Sequence, residues 1–316
     1  MSERLIRLKR QRKQKVLMRK LLLLAVLLVI VFVSVVAYRA AADRVSAMRL
    51  EVEETRKGVL EEVVTGMALV AHEETVIHAP EEGYFENLVR ERERVRRGAI
   101  LGKFFAENGT QSHEITAPAA GVVIYQTDGL ESLLVPSKVE HLHPQVFSYN
   151  ISFVRGLGGR LNKGEAFAKV VNNLKPNGLV VKLTDKKDTL TRGQEVEVRS
   201  GGKELGKAQV VAVQHVDDYI LIGLMMDQFV IALADSRLLP VELVVKRYEG
   251  TIIACPALTE VDGKLGVYCL RKETVIFKEA EVVARKDGKA VVRGVEPGEY
   301  VITTPGLVRE GMVIPR

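Results

Sequence analysis

The sequence Ala79-Pro80-Glu81-Glu82-Gly83 recurs as Ala117-Pro118-Ala119-Ala120-Gly121, and this repeat is the main indication of the fold in the central part of the chain. A second motif follows each copy in the same order: Val95-Arg96-Arg97-Gly98 is matched by Leu161-Asn162-Lys163-Gly164. Short runs rich in Val and Ile flank both motifs, which is typical of β-strands. Because one such unit is too small to bury both of its faces, the repeat predicts two similar β units that pack as one domain.

Four glycines mark the turns of this repeat, namely Gly83, Gly98, Gly121 and Gly164. Proline fixes φ and glycine permits φ values that other residues avoid, so we expect these glycines to have structural roles. Fifteen residues separate Gly83 from Gly98, whereas forty-three separate Gly121 from Gly164. The second copy therefore carries an insertion, residues 128–155, which two prolines and a weak apolar period identify as a loop or turn-rich flap.

The remainder of the chain outside its N-terminus also predicts β structure. Short apolar runs bounded by Gly, Asp and Asn recur through it, and helix signals are nearly absent. We divide this part into 58–72, first strands of a membrane-proximal region; 73–173, the repeat domain; 174–245, a β-barrel segment; and 246–316, a C-terminal membrane-proximal β domain.

Residues 21–38 form an uncharged, apolar run that as a helix spans about 27 Å, close to the hydrocarbon thickness of a bilayer. Nine Lys and Arg residues lie in the preceding tail, 1–20, and the positive-inside rule places that tail in the cytoplasm. We expect one transmembrane helix, a helical linker or stalk at 39–57, and an extracytoplasmic C-terminal part anchored in the cytoplasmic membrane. The alternative is a cleaved signal peptide with a small-residue site at Ala40-Ala41-Ala42.

The charge of the chain is concentrated in this tail. The whole sequence has a net charge of +6, but residues 1–20 alone carry nine basic residues and one acidic residue. The rest of the chain is therefore slightly acidic. Nucleic acid is not an expected partner, because the predicted folded part has no basic excess to neutralise phosphates.

Cys255 and Cys269 are the only cysteines. A three-residue hairpin loop that pairs Glu260 with Lys264 would place them opposite each other, and on the extracytoplasmic side a disulfide is permitted. The alternative is two small buried side chains.

The sequence contains no recognisable catalytic, cofactor-binding or metal-binding motif, and we expect no enzyme and no cofactor. His141 and His143 are spaced as they would be on one face of a strand, but no third ligand accompanies them. The other histidines are isolated in sequence: His72, His78, His113 and His215.

The two halves of the repeat domain resemble those of lipoyl and biotinyl domains. The turn between the halves, Phe105 to Gln111, contains no lysine, so attachment of lipoate or biotin is not expected. The order of anchor, lipoyl-like sandwich, barrel segment and C-terminal β domain resembles membrane fusion proteins, the HlyD-like periplasmic adaptor subunits. In the C-terminal part the resemblance rests on Leu239 to Val244, Ile253 to Thr259, Gly266-Val267-Tyr268, Gly294 to Ile302 and Glu310 to Ile314.

This resemblance implies a mainly β fold with a barrel-sandwich hybrid, and a role as an adaptor that assembles as a homo-oligomer with an inner-membrane transporter in efflux or secretion, in contact with membrane lipid. One departure bears on that role: about seven residues join the halves, where longer members carry a helical hairpin. An envelope scaffold or regulatory protein for cell division, wall synthesis or sporulation, built on the same fold, is the alternative.

Overall fold

The computed structural model describes residues 30–35, 49–107, 112–141, 143–149, 151–183 and 190–314. Twenty-two strands account for most regular structure in these residues, so the predicted mainly β fold is confirmed. The first eleven strands are β1 (Val52–Glu54), β2 (Arg56–Ala71), β3 (Glu74–His78), β4 (Gly83–Asn87), β5 (Arg94–Val95), β6 (Ile100–Ala106), β7 (Ser112–Thr116), β8 (Gly121–Ile124), β9 (Gln126–Thr127), β10 (Val154–Arg155) and β11 (Ala166–Val171).

The strands of the second half are longer on average. They are β12 (Gly178–Leu183), β13 (Glu195–Ser200), β14 (Lys203–Val216), β15 (Tyr219–Met226), β16 (Leu238–Ala254), β17 (Leu258–Val261), β18 (Lys264–Arg271), β19 (Thr274–Glu279), β20 (Glu281–Lys286), β21 (Lys289–Arg293) and β22 (Tyr300–Ile302). Short 3₁₀ helices cover Pro136–Lys138, Pro144–Ser148, Ile231–Leu233, Cys255–Ala257 and Pro305–Leu307.

The chain divides into two compact units, one of Glu61–Arg247 and one of Met1–Leu60 with Tyr248–Arg316. In the first unit, two sheets of order β3-β11-β8-β5 and β4-β6-β7 form a sandwich. Its core is aromatic at the centre, where the ring centroids of Phe85 and Phe167 lie 5.0 Å apart and those of Phe104 and Phe167 lie 6.2 Å apart. Buried aromatic rings of this kind contribute much of the burial energy of a small core.

The first unit also contains a closed barrel. Its strands follow the order β13-β14-β15-β12-β2-β16, and β13 pairs again with β16 to close the ring. The interior is filled by apolar side chains such as Leu183, Ile222 and Leu243, all buried. Residues Gly66–Ala71 of β2 pair with β12, so this part of the segment 58–72, expected in the membrane-proximal region, belongs to the barrel.

The second unit is built around a sheet of order β1-β22-β18-β17, with β19 on β18, and a β20–β21 hairpin that pairs with the end of β16. β1 pairs with β22, with Val52 opposite Ile302. The helical linker expected at 39–57 is therefore wrong for residues 52–54, which are a strand because a partner strand satisfies their backbone groups.

The predicted transmembrane helix, 21–38, lies mostly outside the described residues. Residues 30–35 are helical, and Phe32 is 69% exposed. Within the described part of the chain, no helix has both the length and the hydropathy needed to cross a membrane.

Candidate functional site

Two of the four turn glycines, Gly98 and Gly164, make equivalent hydrogen bonds across the sandwich. Gly98 donates its N–H to Ala117 O at 2.8 Å, and Gly164 donates to Ala79 O, also at 2.8 Å. Each bond therefore joins one copy of the repeat to the other. Gly98 and Gly164 have φ values of 78° and 79°, which is the left-handed region that favours glycine.

Gly83 and Gly121 are required for a different reason. A Cβ atom added to Gly83 would lie 2.0 Å from Phe105 O, and one added to Gly121 would lie 2.2 Å from Val171 O. Both distances are far below van der Waals contact with backbone atoms that a sheet holds in place. The two copies of the sequence repeat therefore make equivalent contacts in the structure.

The C-terminal hairpin differs from the prediction in its register. Its loop has two residues, Asp262 and Gly263, with φ values of 50° and 78°, and Val261 pairs with Lys264. The three-residue loop predicted from the sequence is wrong, because an aspartate here adopts the left-handed conformation that its short polar side chain tolerates.

The two cysteines do not face each other across this hairpin, because the strand pairing ends at Leu258 and Val267. Cys269 lies opposite Ile276 and Val301, whereas Cys255 begins a 3₁₀ turn. Both are free thiols within one apolar cluster, and burial raises the pKa of Cys269 to about 11. The strand pairing expected to bring the two thiols together is therefore absent from the described residues, and the geometry matches the alternative of two small packed side chains.

His72 is a buried histidine with both ring nitrogens bonded. Asn177 Nδ2 donates to His72 Nδ1 at 2.9 Å, so Nε2 carries the hydrogen and donates to Leu233 O at 2.9 Å. Burial in the first place, and the nearby charge of Arg237 in the second, lower its pKa to about 3. His72 is therefore a neutral structural group. The pair His141 and His143 lies exposed on the insertion.

Next to His72 lies a buried ion cluster, which we define as Glu74, Asp128, Glu131, Lys169 and Arg237. Lys169 Nζ is 2.7 Å from Asp128 Oδ2, 3.0 Å from Glu74 Oε1 and 3.6 Å from Glu131 Oε1. Arg237 Nη2 donates to Glu74 Oε2 and to Asp128 Oδ2, both at 2.7 Å. At most 8% of any of these side chains is exposed, so the charges compensate one another with little help from water.

The cluster joins three parts of the first unit. Glu74 and Lys169 belong to the paired sandwich strands β3 and β11, Arg237 precedes β16 of the barrel, and Asp128 begins the insertion. Arg237 Nη1 also donates to Val70 O of β2 at 2.7 Å. The insertion therefore starts at a point fixed by charge to both the sandwich and the barrel.

The pKa values within the cluster move in opposite directions. Burial raises the pKa of Glu74 and outweighs the cations of Arg237 and Lys169. Burial would also raise the pKa of Asp128, but hydrogen bonds and charge from Arg237, with Lys169, hold it below its usual range. Asp128 is thus the fixed anion of the cluster, and it also accepts the N–H of Leu130 at 3.0 Å.

Three carboxylates of the cluster lie close enough to hold a metal ion, because ligand oxygens of Glu74, Asp128 and Glu131 fall within 4.8 Å of one another. Lys169 Nζ already lies between them at ion-pair distances. An ammonium group in this place does not fit a divalent cation. We therefore interpret the cluster as structural.

This cluster was not predicted from the sequence, although the sequence contains one signal of it. Lys169 interrupts the apolar run Phe167 to Val171, where an uncompensated lysine would be costly. Its counterpart in the first repeat, Lys103, is exposed. The two lysines are equivalent in sequence, and only the insertion and the barrel bury one of them.

Comparison with known families identifies the repeat domain. Residues 74–172 match the model of the family described as RND related, barrel-sandwich hybrid domain. These bounds agree with the sandwich and its insertion, and they confirm the resemblance to membrane fusion proteins over these residues. A search of curated protein sequences gives no match.

Several solved structures are similar at low identity. They include ZneB from Cupriavidus metallidurans, with 10% identity, 83% of this chain and 94% of that chain covered, and a TM-score of 0.34. MacA from Actinobacillus actinomycetemcomitans has 13% identity, coverage of 79% and 98%, and a TM-score of 0.34. The membrane fusion protein Spr0693 from Streptococcus pneumoniae R6 has 11% identity, coverage of 59% and 100%, and a TM-score of 0.30. At such TM-scores the likeness carries no argument, so the assignment rests on the family model.

Proposed function

We propose, on the premise that residues 74–172 are an RND-related barrel-sandwich hybrid domain, that the chain is a membrane-anchored extracytoplasmic adaptor that assembles with an inner-membrane exporter. The observation that carries the proposal is this domain, bounded by the interlocked turns of the repeat. We assign the protein an accessory role in efflux or secretion, without catalysis and without a cofactor.

The N-terminal sequence supports the anchored form of this proposal. An apolar run at 21–38 follows a tail with nine basic residues, which favours a single span with the tail inside the cell. The cytoplasmic membrane would then hold the β domains on its outer side, in contact with lipid. Homo-oligomerisation through these domains is part of the same proposal.

The short connection between the halves of the sandwich defines the kind of adaptor. β6 ends at Ala106 and β7 begins at Ser112, so five residues join them. A long helical hairpin cannot be formed by so few residues. The adaptor is therefore of a compact type, which acts near the membrane rather than across a wide envelope.

The same connection favours a second candidate function. A protein without the hairpin also suits a scaffold or regulator of cell division, wall synthesis or sporulation, in which the adaptor fold is kept and transport is not. This alternative predicts a different set of partners, and one experiment can separate the two.

The test is crosslinking in living cells of the full chain, followed by affinity purification and mass spectrometry. A chain that carries residues 1–57 fused to an unrelated folded domain is the matched control, because it removes partners that bind the tail and anchor alone. A permease or ATPase recovered in stoichiometric amount only with the full chain supports the adaptor. Recovery of division or wall-synthesis proteins without a transporter overturns it in favour of the scaffold.

A further inference from the structure

The insertion, residues 128–155, forms a structure that the first half of the sandwich lacks. Its apolar side chains Leu130, Leu134 and Val139 are buried against the barrel residues Leu69 and Val180. The insertion thus covers part of the outer face of the barrel, and it is held at its start by the ion cluster.

Two barrel glycines allow this segment to approach closely. A Cβ atom on Gly223 of β15 would lie 2.4 Å from Val139 O, and one on Gly178 of β12 would lie 2.7 Å from Val139 Cγ2. Any residue larger than glycine at position 178 or 223 would therefore occupy the space that Val139 fills. This contact fixes one wall of a cavity that lies between the insertion and the barrel.

Between the insertion and the barrel lies a cavity of about 310 Å³. Its apolar lining comes from Ala71 and Val180 of the barrel and from Leu134, Val139 and Val146 of the insertion. This volume is at the small end of the range for pockets that bind small molecules. Two large side chains among the lining residues are exposed, Leu133 at 40% and Tyr149 at 47%.

The polar lining of the cavity combines the cation Lys138 with imidazole, amide and phenol groups that can donate hydrogen bonds. The polar residues are Lys138, His141, His143, Gln145 and Tyr149, and the lining residues include no carboxylate among those described. Lys138 Nζ donates to Ser132 O at 2.8 Å. The adjacent Glu140 is directed instead to Arg192, at 3.4 Å.

We infer that this cavity binds a small single-chain amphiphile with an anionic head group. The chain would lie against the apolar lining, where removal of apolar surface from water stabilises binding. The head group would accept hydrogen bonds from Lys138 and the imidazoles, since bonds to charged groups are stronger than neutral ones. Charge complementarity selects an anion, and the small volume selects one short chain.

This inference goes beyond the proposed adaptor function and does not depend on it. The test uses the full chain in lipid nanodiscs and photoreactive probes that carry a terminal diazirine on a decyl chain. The anionic probes are the decanoate and the decyl phosphate, and the controls are decanol and decyltrimethylammonium. Labelled peptides are located by mass spectrometry.

We expect saturable labelling of peptides from 133–149 by either anionic probe, competed by unlabelled decanoate and about ten-fold weaker with the two controls. The stronger of the two anions identifies the head group as carboxylate or phosphate. Lys138→Glu should reduce labelling by about ten-fold, whereas Lys175→Glu, an exposed lysine outside the cavity, should not.

Equal labelling by the cationic probe would show partition into an apolar surface only, and would overturn the inference. Labelling that is not saturable, or that Lys138→Glu leaves unchanged, would do the same. If Lys138→Glu lowers the melting temperature, Lys138→Gln and the competition by decanoate provide the same decision in a folded protein.

Discussion

At the scale of single residues, glycine has two separable roles in the sandwich. Gly98 and Gly164 have positive φ and open space around the missing Cβ, whereas Gly83 and Gly121 have a backbone oxygen at 2.0 Å and 2.2 Å from where a Cβ would lie. The sequence repeat predicts that all four are needed. It does not distinguish the conformational cause from the steric one, because both causes require glycine at the turn.

This distinction predicts an order of stability losses. Gly98→Ala should lower the free energy of unfolding by about 1 kcal/mol and Gly98→Asn by less, since asparagine tolerates the left-handed region. Gly83→Ala should cost about 3 kcal/mol, because backbone must move. Urea unfolding of the full chain measures each value, with Gly306→Ala, which has neither problem, as the control.

The role proposed for these turns is structural, and Gly98→Val tests it further. This variant should lose stability before it loses any partner, because a β-branched residue at positive φ is strained. An unchanged melting temperature together with a lost complex would contradict the structural role.

His72 predicts a pH dependence of stability. Its folded pKa is about 3, below the usual value of about 6.5, so the unfolded chain binds a proton at a pH where the folded chain does not. The contribution of His72 to the free energy of unfolding is therefore fully present above pH 6.5. It is lost as the pH is lowered, by roughly 3 kcal/mol between pH 6.5 and pH 4. Arg237, Lys169 and Asp128 are the charged groups that act on this ring.

Urea unfolding at a series of pH values measures this effect. His72→Gln can keep both hydrogen bonds without a titrating ring, so its stability should fall less over the same range. Glu74 has the opposite sign, because its raised pKa stabilises the fold on protonation, and it is present in both proteins. Parallel curves for the two proteins would rule out His72 as the source.

At the scale of elements, the loop of the C-terminal hairpin and the ion cluster were not predicted correctly from the sequence. The hairpin of β17 and β18 was predicted, but its loop is one residue shorter than expected. The pairing of β17 with β18 also ends at Leu258 and Val267, before it reaches Cys255 in the 3₁₀ turn, and this is why Cys269 does not face Cys255. The cluster was missed because Arg237 and Asp128 are more than a hundred residues apart, and no local pattern relates them.

The ion cluster predicts a strong dependence on Lys169. Lys169→Ala leaves the three buried carboxylates of the cluster with Arg237 as their one remaining cation and should cost about 3–5 kcal/mol. The insertion should then be cleaved faster in limited proteolysis, because its start at Asp128 is held by one cation in place of two. Lys207→Ala removes an exposed pair with Glu195 and should change neither result.

If the Lys169→Ala variant is cleaved only at sites outside the insertion, the cluster stabilises the sandwich and not the insertion. Lys169→Met separates the lost charge from the lost packing, because methionine keeps much of the side-chain volume. If the charge matters, both variants should lose comparable stability.

At the scale of the whole molecule, composition and repeat were sufficient for the class of fold. The β content and the position of the sandwich followed from them. The strand at residues 52–54 could not be predicted in this way, because it forms only through a partner strand more than two hundred residues away. The boundaries of the remaining domains stay a proposal.

The β1–β22 pair predicts a specific loss of protection. Replacement of residues 51–54 by Gly-Ser-Gly-Ser keeps the length of the chain but weakens β1, since glycine and serine are poor in strands. The amides of Val301 and Thr303, which face β1, should then exchange hydrogen faster, as measured by mass spectrometry. Peptides from 166–171 are the internal control, and equal acceleration there would indicate global unfolding instead.

The crossed bonds of the repeat also set a condition on biosynthesis. Gly164 donates to Ala79 and Leu161 to Gly83, so the first turn of the sandwich receives these two partners only after about eighty more residues have been added. Contacts so distant in sequence slow folding and leave strand edges open in the meantime. A nascent chain that ends near residue 155 therefore lacks β11, the strand between β3 and β8, and it needs protection from aggregation until this strand has emerged.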